Sequence, residues 1–105
     1  MARSLFLLVI LAVILGAQDT NAQAGSRMSP MEWNTDRGGS NYNAFDLPTP
    51  DPALCQDACL RDPKCAAWTY VQPNTIQGPR PRCWLKQSIP PSSQNPNCVS
   101  GTKIR

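Results

Sequence analysis

The chain of 105 residues contains no histidine. That removes serine–histidine and cysteine–histidine nucleophile pairs, and with them the commonest general base at neutral pH. Catalysis is therefore not expected. A carboxylate pair such as Glu32 and Asp36 could in principle serve a glycosidase, but a domain this small offers little room for a cleft. Runs of lysine or arginine are missing too, and the formal charge is only +3, so a nucleic-acid partner is not expected. Beyond residue 15 there is no long apolar run. Of the cysteines only Cys55 and Cys59 have the spacing of a zinc-ligand pair, so no metal and no cofactor are expected.

What is present begins with Arg3, followed by an unbroken apolar run from Leu5 to Leu15 and a polar stretch that ends in Ala22-Gln23-Ala24. This pattern is that of a secretory signal peptide over residues 1–24. The run is about half the roughly twenty residues that a membrane-spanning helix needs, so cleavage is preferred over a permanent anchor. Cleavage after Ala24 satisfies the small-x-small rule, with cleavage after Ala22 as the alternative. The expected mature chain is secreted or periplasmic, with no membrane attachment once the leader is cut. Loss of Arg3 and Asp19 leaves nine basic and six acidic side chains, still +3.

A domain of this size buries proportionally little surface and needs staples. All five cysteines, Cys55, Cys59, Cys65, Cys83 and Cys98, lie beyond the leader, and export makes disulfides permissible. Eleven prolines add to the expectation of a loop-rich fold.

Residues 25–30 read as a flexible lead-in and residues 31–105 as the domain. Met31-Glu32-Trp33 is expected to be a short strand, Asn34 to Ser40 a turn, and Tyr42 to Leu47 a second strand. A helix is predicted over Pro52 to Arg61, with Asp51 as N-cap, Pro52 at the first helical position and Pro63 as terminator. Cys55 and Cys59 share one face of it, flanked by Leu54 and Ala58. Cys65 to Val71 and Cys83 to Lys86 read as strands and Cys98 to Ile104 as a closing strand, with loops over Gln72 to Arg82 and Ile89 to Asn97. Spacing alone does not fix disulfide connectivity. Cys59 can nonetheless reach Cys65 across the Pro63 turn, and Cys55, one turn back, can reach Cys83.

Several segments together resemble the PAN/apple modules, in particular the short bacterial type. They are Glu32-Trp33-Asn34-Thr35-Asp36-Arg37 with Gly39-Ser40-Asn41-Tyr42, Cys55-Gln56-Asp57-Ala58-Cys59, Asp62-Pro63-Lys64-Cys65-Ala66-Ala67-Trp68-Thr69-Tyr70, Cys83-Trp84-Leu85-Lys86 and Ser100-Gly101. The resemblance implies an α+β fold, a small disulfide-rich curved antiparallel sheet cradling one α-helix, with the nested pairs Cys55–Cys83 and Cys59–Cys65. It also implies a non-catalytic binding module for an extracellular protein or carbohydrate. A small secreted inhibitor or effector of one enzyme or receptor is the alternative. The bridge joining the two ends of apple domains is absent, because no cysteine lies near Trp33 to pair with Cys98. That leaves Cys98 unpaired: a shielded or capped thiol, or the link of a homodimer.

Strand alternation, phased on Cys65 and Cys83 facing the helix, sends Trp68, Tyr70, Trp84 and Lys86 to the opposite face. The two tryptophans then either pack beneath the amino-terminal segment, where Trp33, Tyr42 and Phe45 need neighbours, or form an aromatic platform for a ligand. Arg80 and Arg82, spaced by Pro81, are a second candidate, able to engage carboxylates by forked hydrogen bonds. Asp36 and Arg37 are read as a local turn or ion pair.

Overall fold

Asp51 opens the helix as the sequence predicts. Its backbone is extended and its side chain accepts a hydrogen bond from the Ala53 amide, which satisfies one of the donors left over at a helix start. This helix, α1, spans Pro52–Arg61 and ends where Asp62, with Pro63 behind it, turns the chain away. Cys55 and Cys59 are its buried residues, with Ala58 packed against the same core. Leu54, expected on that face, is exposed, because the sheet reaches the helix only along the cysteine line.

The computed structural model describes residues 26–105, so the expected leader at residues 1–24 lies outside the described residues. Among those described there is one helix and six strands: β1 (Arg27–Met28), β2 (Glu32–Asp36), β3 (Asn41–Asp46), β4 (Ala67–Val71), β5 (Arg82–Lys86) and β6 (Ser93–Ile104). All pairings are antiparallel, in the order β1-β6-β4-β5-β3, with β2 also lying along β6. The result is a curled half-barrel with α1 on one side, the small disulfide-rich α+β architecture anticipated.

Both disulfides join the predicted partners. Cys55–Cys83 ties the helix to the interior strand β5, and Cys59–Cys65 closes the turn after the helix. Around them gather Leu47, Trp68, Tyr70, Leu85 and Val99.

Three segments differ from expectation. The lead-in at residues 25–30 was expected to be mobile, but Arg27–Met28 pairs with Lys103 and Ile104, and the Ser29 amide donates to the Thr102 carbonyl. Strand β2 continues through Asn34 to Asp36, where a turn was expected. Asn34 takes a positive φ of 54° where the register slips, one residue of β2 standing against the four from Asn95 to Cys98 of β6, and this irregularity lets β2 bend without leaving β6. Strand β6 starts at Ser93 rather than Cys98. Pro96 is accommodated because it falls between the pairings of Gln94 and Cys98, where no ladder hydrogen bond is asked of it.

The fourth difference matters for function. Strand β4 begins at Ala67, not Cys65, so alternation cannot be phased from the cysteine. In the observed register Trp68 stands between Gly101 and Leu85, and Tyr70 between Val99 and Cys83. Trp68 and Tyr70 therefore face the helix and are buried. Thr69, Trp84 and Lys86 face the other way.

Candidate functional site

On the side of the sheet away from α1, cross-strand partners form three rows. They are Thr102-Ala67-Lys86-Asn41, Ser100-Thr69-Trp84-Ala44, and Cys98-Val71-Arg82-Asp46. The middle row is bridged by short contacts. The hydroxyls of Thr69 and Ser100 lie 2.7 Å apart, Ser100 donates to the Thr35 carbonyl, and the Arg37 amide donates to Thr69 Oγ1. These bonds draw the end of β2 across the open face. Arg37 is pinned there by a bidentate pair with Glu32 at 2.8 and 2.7 Å and by a 2.6 Å bond to the Pro90 carbonyl. The ion pair expected near Asp36 and Arg37 thus forms with Glu32 instead. It holds the Glu32 carboxyl below its ordinary value, chiefly through the Arg37 hydrogen bond, which removes Glu32 as half of a carboxylate pair.

The bend of β2 and the Gly38-Gly39 turn behind it close one end of a cleft of about 240 Å³. Gly39 has a φ of +100°, a conformation that side chains other than glycine's rarely adopt. Asp36, Asn41, Trp84, Lys86, Asn95 and Cys98 face into the cleft.

Lys86 is 2% exposed. Its ammonium donates to Asn41 Oδ1 at 2.6 Å and to the Gly39 carbonyl at 3.2 Å, both neutral acceptors. No carboxylate lies within ion-pair distance of it among the described residues. Burial lowers its pKa, and the field of Asp36, acting across the cleft, works in the opposite direction. Two formal charges of opposite sign thus face the same cleft without touching. Trp84 forms a wall beside them. Its indole N–H donates to Gln77 Oε1 at 3.0 Å, and the Arg82 guanidinium sits 5.1 Å from the ring centroid while bonding Asp46 at 2.9 Å. A tryptophan held in this way is a rigid surface.

The structure therefore separates the residues grouped from sequence. Trp84 is in the cleft; Trp68 and Tyr70 are on the opposite face, so no two-tryptophan platform exists. Arg82 serves Trp84 and Asp46, and Arg80 is exposed on its loop, so the two arginines do not converge as a fork. Asn41 and Asn95 were not among the sequence candidates, and Asp36 was considered only as a carboxylate partner of Glu32 and as a turn or ion pair with Arg37. The only advance signal was the turn-rich Asp36-to-Asn41 segment, where binding groups tend to collect.

Cys98 is 4% exposed, and burial pushes its thiol up to about 11. The thiolate is the form that attacks a disulfide, so a bridge between two copies would require opening this edge of the sheet. Of the states considered from sequence, the shielded thiol accords with this geometry.

The family model described as PAN domain matches residues 35–86, from the end of β2 through β5. No curated protein and no solved structure matches the chain. The matched segment holds both disulfides, the helix, Trp84 and Lys86.

Proposed function

Starting from the chain's membership of the PAN-domain family, whose members bind proteins or carbohydrates, we propose that it is an exported, non-catalytic module that binds carbohydrate in the cleft between Asp36, Trp84 and Lys86. The observation that carries this reading is the pair of separated, opposite charges beside an indole wall. A sugar diol donates one hydroxyl to a carboxylate and accepts at another from an ammonium, while the ring's C–H face packs on an aromatic surface. Asn41 and Asn95 add amide groups suited to further hydroxyls. A ligand of net charge gains from only one of the two charges and is opposed by the other. The volume suits one ring or a single side chain rather than an extended partner.

Export is supported by the amino-terminal pattern and by two disulfides in so small a domain. No helix among the described residues is long and apolar enough to cross a membrane.

Calorimetric titration of the oxidised protein against a panel of neutral and acidic mono- and disaccharides tests the proposal. The expected result is saturable binding of at least one neutral sugar, weakened about tenfold or more by Asp36→Asn and by Trp84→Ala in folded protein. That loss corresponds to roughly 1.4 kcal/mol. Absence of binding across the panel, or binding indifferent to both substitutions, overturns it.

A further inference from the structure

On the helix side of the sheet, paired register sets Trp33, Val99, Tyr70 and Cys83 side by side across β2, β6, β4 and β5. The row runs outward from the Cys55–Cys83 disulfide to an indole that is 62% exposed, unusual for so large an apolar side chain. Pro50 before the helix and Pro52 at its first position, with Gln72 after β4, rim this row and make a groove of about 310 Å³. It lies across the sheet from the polar cleft and shares no residue with it.

A second observation points to a ligand. Tyr70 is only 3% exposed, yet its hydroxyl has no hydrogen-bond partner among the described residues and is not sealed from solvent. That hydroxyl opens on the groove and is available to a ligand. The Trp33 indole N–H and the Gln72 carboxamide are likewise without partners among the described residues. The Trp33 N–H can only donate, and the Tyr70 hydroxyl and Gln72 carboxamide can donate as well as accept, so the groove can supply a donor to each of several ligand carbonyls. No ionised side chain lines it, and the Asp51 carboxylate close to Tyr70 makes its rim unfavourable to acidic ligands.

The complement of such a surface is an uncharged ligand rich in acceptors and poor in donors, with flat apolar rings. We propose that this groove binds an uncharged proline-rich segment of a partner protein in the polyproline II conformation. Proline has no N–H, the carbonyls of a polyproline II chain are free of internal hydrogen bonds, and its pyrrolidine rings pack on aromatic faces. The ligand is already extended and loses little entropy on docking. The proposal is independent of carbohydrate binding in the polar cleft.

The test is a titration of isotope-labelled, oxidised protein with acetylated and amidated decaproline, following the indole N–H signal of Trp33 by NMR. A saturable shift at Trp33 is expected. Trp33→Ala, at an exposed position that leaves the core intact, should weaken binding at least tenfold. Tyr70→Phe, which keeps the ring and removes the hydroxyl, should weaken it severalfold, and Ile76→Ala should leave it unchanged. Three outcomes overturn the proposal: no shift at millimolar decaproline; an equal shift with a glycine-serine peptide of the same length; or a Trp33 response to oligosaccharides but not to decaproline. Self-association that Trp33→Ala abolishes, without any peptide binding, would assign the groove to a second copy and equally overturn it.

Discussion

The two faces of the curled sheet are made from alternate residues of the same strands, yet they obey opposite rules. On the helix side, Trp68, Tyr70, Cys83, Leu85 and Val99 fill the space against α1 and the disulfides, and nearly every atom has a packing partner. On the open side, Thr69, Trp84, Lys86 and Cys98 stand in the same strands, but their row is built of hydroxyls, an amide-held indole, a thiol and an ammonium. A buried cation with only neutral acceptors is not how a chain maximises stability. The difference teaches that the packing against α1 holds the fold together while the polar cleft of the open face is kept available for a ligand, and substitutions in the core and in the cleft should separate stability from binding.

The largest effect is expected where the helix-side face is tied to α1. Cys55 and Cys83 are 28 residues apart in sequence, and closing a loop of that length stabilises by about 3 to 4 kcal/mol in the chain-entropy treatment. The Cys59–Cys65 loop spans only 6 and is worth about 2 kcal/mol on the same basis. Urea denaturation of the Cys55→Ala/Cys83→Ala and Cys59→Ala/Cys65→Ala variants should rank them in that order. The reverse order would mean that the turn after the helix, not the helix–sheet tie, governs the face.

A smaller loss is expected at Gly101. A Cβ there would lie 2.6 Å from Trp68 Nε1 and 2.8 Å from the adjoining ring carbon, closer than atoms of a fixed ring can tolerate. Gly101→Ala should cost about 1 to 3 kcal/mol through overpacking, with little change in ligand binding on the open face. A neutral result would show that Trp68 is free to move and that the helix-side face is less tightly packed than its burial implies.

Cys98 offers a comparison within the open face. Its thiol titrates near 11 when folded, against an ordinary value of 9.0, because burial disfavours the thiolate. A raised folded pKa gives stability that is fully present below about pH 9 and is lost as the pH rises through about 11, and two units correspond to on the order of 2 kcal/mol. Tyr42 is also raised and adds to the alkaline loss, whereas Lys86 is lowered and opposes it. The informative quantity is therefore the difference between the native chain and Cys98→Ala, which should shrink across that window. The native thiol should also resist aromatic disulfide reagents at pH 8 until denaturant is added.

Most of the helix-side face is legible in the sequence, because local rules specify it. Asp51, Pro52 and Pro63 bracket the helix, and the 55/59 spacing with the Pro63 turn leads to both disulfides. The open face is not legible in the same way. Its membership depends on strand phase, and the bend at Ala66 breaks the alternation between Cys65 and the strand, so counting from Cys65 puts Trp68 and Tyr70 on the wrong face in place of Thr69. The cleft depends further on the register slip between Trp33 and Thr35, where β2 bends and carries Asp36 towards the cleft. Asn34 followed by Thr35, Asp36, Arg37 and two glycines reads locally as a turn. Only the tertiary bonds from Ser100 and Thr69 turn it into a strand that bends. Trp33, read from the sequence as needing packing neighbours, is exposed for a related reason, since β2 pairs only with β6.

The smallest expected effect is the sharpest test of the division between faces. Lys86→Met keeps the length and most of the volume of the side chain while removing a desolvated charge. Replacing a buried ion by an apolar isostere is commonly neutral or stabilising. The two acceptors left behind, Asn41 Oδ1 and the Gly39 carbonyl, border the cleft and can turn to water. The variant is expected to be as stable as the native chain or up to about 1 kcal/mol more so at neutral pH, and to lose sugar binding. Among the residues packed between the sheet and α1, such as Trp68 and Leu85, no substitution should behave in this way, because there packing and stability coincide. If Lys86→Met instead unfolds the domain, the ammonium is a structural clasp between the Gly38-Gly39 turn and β5, and the open face belongs to the fold in the same sense as the other.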